Sequence, residues 1–148
     1  MNYLTTNNNT YATYMHNALA IKQSLEKISS NKVYVDMDGT LLSGELDAQF
    51  IASNYDIAWY DTQHVTTLPV NYELVNILKA LKALNVELIL WTNRSLIQRE
   101  MTRLNLGDLW YLFKEHQFHA GNKRDTNLDG YTFDNEEKYV HFGQLINW

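Results

Sequence analysis

The chain has 148 residues, of which 45% are hydrophobic and 20% are charged, and its formal net charge is −5. This composition is typical of one folded domain and excludes an extended disordered protein. The sequence has no cysteine, which excludes disulfides, thiol catalysis and cysteine-ligated metals. The acidic balance also argues against tight, nonspecific binding to nucleic acid.

The first 31 residues are predicted to form a polar tail followed by one helix. Residues 1–10 are rich in Asn and lack the basic and apolar regions of a signal peptide. Apolar residues then recur at intervals of three and four, at Ala18, Ile21, Leu25 and Ile28. This spacing predicts a helix over 13–28 packed on the domain's own core, with a partner-binding helix as the alternative.

No apolar run approaches the roughly 20 residues that cross a bilayer, so we expect no membrane contact. The chain is predicted to be cytoplasmic, and the absence of cysteine is compatible with a reducing compartment.

Residues 32–148 alternate between strand and helix patterns and are predicted to form one domain. The predicted strands are 33–35, 86–91, 117–119 and 131–133. The predicted helices are 71–84, a second one from Ser95 to near Gly107, and a short segment over 108–114. The order predicts an α/β fold, a Rossmann-like and mostly parallel sheet with helices on both faces.

An insert over residues 43–68 is predicted to form a small flap after the first strand. It has little periodicity but several aromatic residues, namely Phe50, Tyr55, Trp59 and Tyr60. A long irregular stretch in a small domain is often a lid or a binding loop. The aromatic rings are suited to stacking on a base, but packing of the flap onto the core is the favoured alternative.

The strongest chemical signal follows the first predicted strand. Ligands of such sheets bind at the carboxyl ends of the strands, where Asp36 and Asp38 are followed by Gly39 and Thr40. One carboxylate can attack phosphorus, the other can act as general acid and base, and both offer oxygen ligands to Mg²⁺. Gly39 permits a sharp turn whose backbone N–H groups face a phosphate. The alternative for paired acids here is a helix cap or an Asx-turn.

Residues 35–42, Val-Asp-Met-Asp-Gly-Thr-Leu-Leu, resemble the first motif of the haloacid dehalogenase (HAD) phosphatases, D-x-D-G-T-L. The resemblance implies that Asp36 is the nucleophile, that Asp38 is the general acid and base, and that Gly39 and Thr40 contact the substrate. The acid at position 38 implies phosphatase or phosphomutase chemistry. The resemblance extends over residues 32–135.

The second family motif is a hydroxyl residue at the end of the next hydrophobic strand, and Thr92 matches it. The resemblance implies that Thr92 hydrogen-bonds the transferring phosphoryl group. Asn93 and Arg94 follow as candidate substrate-binding residues, and a helix start at Ser95 adds N–H groups nearby. An exposed arginine that contacts nothing is the alternative for Arg94.

The third family motif is a lysine that neutralises charge on the phosphoryl oxygens. Lys123 is the leading candidate, because it lies between the last two predicted strands. Arg124 and Lys114 remain alternatives for this phosphate-binding base.

The fourth family motif is an acid that completes the magnesium site. Asp134 matches it, so the expected metal ligands are Asp36, Asp38 and Asp134. Many family members have a second Asp at the next position, where this chain has Asn135. An acidic surface turn is the alternative for Asp134, and the other candidate ligands are Asp129, Glu136 and Glu137.

Taken together, the motifs predict a Mg²⁺-dependent phosphomonoester hydrolase that forms an aspartyl-phosphate. The resemblance is nearest to the 5′-deoxyribonucleotidase branch, so a nucleotide or a phosphorylated nucleic-acid end is the leading substrate. A sugar or metabolite phosphatase and a catalytically degenerate binding module are the alternatives. A homodimer that covers a neighbour's flap with the first helix is also left open.

Overall fold

The computed structural model describes residues 11–56, 58–59, 68–119 and 124–134. The sequence predictions for residues 1–10, Tyr60, Lys123, Asn135, Glu136 and Glu137 lie outside these residues. The described helices are α1 (Tyr11–Lys27), α2 (Glu45–Ala52), α3 (Tyr72–Ala83) and α4 (Arg99–Leu106), with 3₁₀ turns at Leu96–Gln98 and Gly107–Leu112. The strands are β1 (Lys32–Val35), β2 (Glu87–Trp91), β3 (Glu115–Gln117) and β4 (Tyr131–Phe133).

The strands form a four-stranded, all-parallel sheet in the order β3-β2-β1-β4. Val35 pairs with Leu90 on one side and with Phe133 on the other, which makes β1 an internal strand. The predicted α/β class with a Rossmann-like parallel sheet is therefore confirmed. Because β2 and β4 lie on opposite sides of β1, the strand order reverses there, and ligands of such sheets bind at this point.

One face of the sheet carries the main hydrophobic core. Alternate strand residues point to this face, and they pack with apolar residues of α1 and α3. Ala18, Ile21 and Leu25 of α1 are fully buried there, so the prediction that this helix packs on its own domain is confirmed. Ile28 lies just beyond the helix and is 59% exposed, so its place on the buried face was predicted wrongly.

The opposite face of the sheet has a second, smaller cluster. It consists of Tyr34, Ile89 and Trp91, and Leu128 packs against it. Helices were predicted on both faces, but the described residue packed on this cluster comes from a segment, residues 124–130, that is neither helix nor strand. This segment becomes important for the site because it contains Arg124.

The two ends of the flap lie side by side in the structure. Leu42 and Val70 form an antiparallel bridge, and the Ser43 N–H donates to the Pro69 carbonyl at 2.9 Å. The expectation of an irregular insert is wrong in part, because α2 lies inside it. The Phe50 ring is buried and stacks on the Trp59 ring with 6.5 Å between centroids. For Phe50, the packing alternative is therefore the correct one.

Local signals for the helix ends are confirmed. Asn71 precedes α3, and its Oδ1 accepts from the Leu74 N–H at 3.3 Å. Gln98 Oε1 accepts from the Ser95 N–H at 2.8 Å, as expected for a capping box. Gly107 ends α4 with φ +56°, a conformation that glycine adopts at little cost. Within the described residues, no helix is both long enough and apolar enough to span a bilayer.

We predict that Gly130→Ala destabilises the protein by roughly 1–3 kcal/mol, the usual cost of overpacking. A Cβ at Gly130 would overlap the backbone carbonyl oxygen of Lys32, where β4 enters the sheet beside β1. Urea unfolding measures the change, and Thr126→Ala on the exposed part of the same segment is the matched control. Equal stability of the two variants would contradict the close approach of the two backbones.

Candidate active site

Three predicted residues lie together at the carboxyl edge of the sheet. Asp36 follows β1, Thr92 follows β2 and Asp134 follows β4, and all three are buried. The sheet ladder continues through two of them: the Asp36 N–H donates to the Phe133 carbonyl at 2.9 Å, and the Thr92 N–H donates to the Gln117 carbonyl at 3.1 Å. The strand ends therefore fix their backbones before any side-chain contact is made.

The turn after Asp36 is tight, as predicted, but its amides are used differently. Gly39 has φ +81°, and its N–H donates to the Leu42 carbonyl at 2.8 Å. The N–H groups of Thr40, Leu41 and Leu42 all donate to the Met37 carbonyl. These four N–H groups are therefore not available to a phosphate, because they are bonded within the turn.

Thr40 contacts the candidate nucleophile directly. Its hydroxyl donates to Asp36 Oδ2 at 3.1 Å, and both side chains are buried. This bond fixes one carboxylate oxygen of Asp36 and opposes the protonation of that carboxylate. Thr40 was predicted to bind substrate, and in the structure it orients Asp36.

Asp36 lies in a region of concentrated negative charge. Burial raises the pKa of its carboxyl well above the usual value, and the charges of Asp134 and Asp38 raise this pKa further. The hydrogen bond from Thr40 and the positive charge of Arg124 act in the opposite direction. Acids that repel each other in a buried place favour a cation between them.

Asp38 forms a bidentate ion pair with Arg94. Arg94 Nε donates to Asp38 Oδ2 at 2.9 Å, and Nη2 donates to Oδ1 at 2.8 Å. Arg94 is only 2% exposed, so the interpretation of Arg94 as an exposed arginine without contacts is wrong. A planar guanidinium matches a carboxylate in this way and holds its orientation.

The same guanidinium is also held by α4. Nη1 of Arg94 donates to Asn105 Oδ1 at 3.0 Å and to Thr102 Oγ1 at 3.3 Å, while the Arg94 backbone N–H donates to Thr92 Oγ1 at 3.1 Å. Thr102 and Asn105 were not predicted. Their spacing of three places them on one helix face, but the sequence does not show that this face meets Arg94.

Two of the three candidates for the phosphate-binding base lie among the described residues. Lys114 is far from the site, since its Nζ pairs with Glu87 at the start of β2, 2.9 Å away. Lys114 is therefore excluded for this role. The Arg124 guanidinium bonds to Asn93 Oδ1 and stacks 3.5 Å from the Trp91 ring centroid. Together with its effect on the pKa of Asp36, this places Arg124 at the site.

Asp134 and Asp129, two candidates for the last metal ligand, lie at opposite ends of β4. Asp134 is 1% exposed, which excludes the acidic surface turn. Asp129 lies before β4, where it accepts from the Tyr34 hydroxyl at 2.7 Å and pairs with Lys32 Nζ at 3.7 Å. Asp129 is therefore not a ligand candidate.

The three carboxylates expected to bind Mg²⁺ are only partly brought together at this edge. Among the described residues, no group of three or more His, Cys, Asp or Glu side chains is arranged to hold a metal. Mg²⁺ uses one or two carboxylates and completes its shell with water and substrate oxygens. Asp36 and Asp134 supply two, and the Asp38 carboxylate is bonded to Arg94.

The sequence was compared with models of protein families and with curated proteins, and neither comparison gives a match. The functional argument therefore depends on the geometry of the site and on the motif resemblance.

We predict that Asp36→Asn raises the Tm of the metal-free protein at pH 7, by roughly 2–4 °C if the gain is about 1 kcal/mol. The folded-state pKa of Asp36 lies above the unfolded value, so ionisation costs the folded state stability. In the wild type, stability should therefore fall as pH rises from the unfolded pKa to the raised folded pKa. Calorimetry across pH measures this slope, and an unchanged slope in the variant would contradict the electrostatic assignment.

We predict that Arg94→Leu lowers the free energy of unfolding by about 3 kcal/mol, because it leaves the Asp38 carboxylate without its buried partner. Urea unfolding measures the loss. Arg103→Leu, which breaks an exposed pair with Glu100, is the control and should change stability little. Adding Asp38→Asn to Arg94→Leu should recover part of the loss. If it recovers none, the ion pair is not its source.

Proposed function

We propose that the chain is a Mg²⁺-dependent phosphomonoester hydrolase of the HAD type, with Asp36 as the nucleophile. The observation that carries the proposal is the convergence of Asp36 and Asp134. These buried acids follow two neighbouring strands, and the charge of Asp134 raises the pKa of Asp36. Thr92 and Arg124 at the same edge add a hydroxyl and a positive charge.

The contacts of each residue support the role that we propose for it. Asp36 attacks phosphorus and becomes an aspartyl-phosphate, while the bond to the leaving oxygen breaks; water then attacks the phosphorus of this intermediate, which releases inorganic phosphate and regenerates the Asp36 carboxylate. Thr40 orients the attacking carboxylate through its 3.1 Å hydrogen bond. Mg²⁺, held by Asp36 and Asp134, would neutralise charge on the phosphoryl oxygens. Arg124 would neutralise the remaining negative charge of the phosphoryl group. Lys123 stays a prediction for the same role.

Asp38 can act as general acid only when its ion pair opens. Both carboxylate oxygens of Asp38 accept hydrogen bonds from the Arg94 guanidinium, so this pair has to separate before the Asp38 side chain can turn towards a leaving group. This observation favours a second candidate function, a degenerate module that binds a phosphorylated ligand without turnover.

The substrate stays a prediction from the motif resemblance. A nucleotide or a phosphorylated nucleic-acid end is proposed first, and sugar phosphates are the alternative. Phe50 of the flap is buried, so it does not support base stacking, whereas Tyr55 is exposed and is the better candidate ring. We also propose a cytoplasmic location. A homodimer would have to use surfaces other than the apolar face of α1, which the chain's own core covers.

We predict Mg²⁺-dependent hydrolysis of p-nitrophenyl phosphate that Asp36→Asn lowers by at least roughly 10³-fold, as expected for loss of a nucleophile. Chelation of the metal should abolish the activity reversibly. Asp108→Asn, on an exposed residue outside the site, is the matched control and should keep full activity.

A substrate panel separates the candidate functions. It contains nucleoside monophosphates, a 5′-phosphorylated oligonucleotide and sugar phosphates, each assayed with Mg²⁺. Folded protein that binds phosphate but cleaves no member would exclude the enzyme and support the degenerate module.

A further inference from the structure

The second face of the sheet contains a contact that the proposed chemistry does not explain. Trp91 touches the segment of residues 124–130 in two ways. Its ring lies under the Arg124 guanidinium, with 3.5 Å between the guanidinium carbon and the ring centroid. Its Nε1–H donates to the backbone carbonyl of Asp125 at 3.0 Å. One side chain therefore fixes both the Arg124 guanidinium and the main chain next to it.

Other residues of the sheet hold the same segment. Gln117 of β3 exchanges two hydrogen bonds with Asp125, one from its Nε2 to Oδ2 at 2.9 Å and one to its Oε1 from the Asp125 N–H at 3.0 Å. The Tyr34 hydroxyl of β1 lies 2.7 Å from Asp129 Oδ1 and 3.3 Å from Asp125 Oδ2. Three adjacent strands thus bind a segment that has no regular structure of its own.

Arg124 has many rotamers, and only some of them bring its charge to the carboxyl edge of the sheet. Stacking on an indole face is the strongest form of cation–π contact, and it fixes the plane of the guanidinium. The bond to Asn93 Oδ1 then fixes its direction, since Asn93 lies two residues after Trp91 at the end of β2. The result is a positive charge held near the end of β2, within electrostatic reach of Asp36.

We propose that Trp91 is a positioning residue, which holds the Arg124 guanidinium where the phosphoryl oxygens of a substrate bind beside Asp36. Tyr34 and Gln117 support it by holding the backbone of the same segment. This inference rests on the proposed function, since it assigns the anion that Arg124 meets to a phosphoryl group. It explains why a large aromatic residue ends β2, with its ring on the face that residues 124–130 cover.

The test is a double-mutant cycle on phosphate binding. Calorimetry with Mg²⁺ present gives the Kd of inorganic phosphate for the wild type, Trp91→Leu, Arg124→Ala and the double variant. Arg124→Ala should weaken binding by roughly tenfold or more, and Trp91→Leu by roughly three- to tenfold. In the Arg124→Ala background, Trp91→Leu should have no further effect, because its action passes through Arg124.

Kinetics give a second readout. If Arg124 binds the phosphoryl group equally in the ground state and the transition state, Trp91→Leu raises KM and leaves kcat within about twofold. Trp91→Phe keeps an aromatic ring but removes the N–H donor, so it should lie between the wild type and Trp91→Leu. It also keeps the test decisive if Trp91→Leu does not fold.

Trp110 provides the matched control. It is buried like Trp91, and the Arg99 guanidinium carbon lies 4.9 Å from its ring centroid, but neither residue belongs to the segment of residues 124–130. Trp110→Leu should lower the Tm comparably and leave the Kd of phosphate unchanged. A general loss of packing would instead weaken binding in both variants, and it would overturn the inference.

The remaining outcomes separate the two proposals. If the wild type cleaves phosphomonoesters and binds phosphate, but Trp91→Leu or Arg124→Ala binds phosphate as tightly, the positioning role is wrong and the proposed function survives. If the wild type neither binds phosphate nor cleaves any phosphomonoester, both proposals fail.

Discussion

The constraint on which the rest of the site depends is the proximity of two buried acids, Asp36 and Asp134. Each follows a strand of the parallel sheet, and their shared burial raises the pKa of Asp36. A folded chain keeps such a repulsion only where other interactions compensate for it. The Thr40 hydroxyl and the Arg124 guanidinium supply part of the compensation.

The two arginines at this edge of the sheet, Arg94 and Arg124, are held by different kinds of contact. Arg94 is buried and bonded on both sides, to Asp38 and to α4, so it acts as a fixed part of the fold. Arg124 comes from an irregular segment and owes its position to Trp91 and Asn93. This difference suits different roles: a fixed pair that controls Asp38, and a cation at the place where a phosphoryl group is proposed to bind.

The two faces of the sheet support different parts of the candidate site. The first face is a large apolar core that the strands share with α1 and α3. The second face is small, and its polar side chains hold residues 124–130. The candidate site therefore depends on both faces, since one places the acids and the other places the counter-charge.

Local sequence patterns were sufficient for most of the elements, because each depends on residues close in the chain, but they missed α2 and placed β3 two residues too late. The helices from residue 11 and residue 72, the strand ends at Val35, Trp91 and Phe133, and the stop at Gly107 all follow from periodicity and caps. The same patterns placed Asp36, Thr92 and Asp134 at one edge, because parallel strands align their carboxyl ends. The candidate acids were therefore predictable as a set.

Long-range contacts decided what the patterns left open. Nothing near Arg94 in the chain indicates that it pairs with Asp38, 56 residues away, or that Asn105 completes its contacts. The choice between Lys114 and Arg124 likewise required knowing which end of the sheet each one reaches. The sequence by itself determined which residue types lie at the ends of the strands. Only the tertiary structure decided how their charges pair, because pairing depends on distances through space that local spacing does not encode.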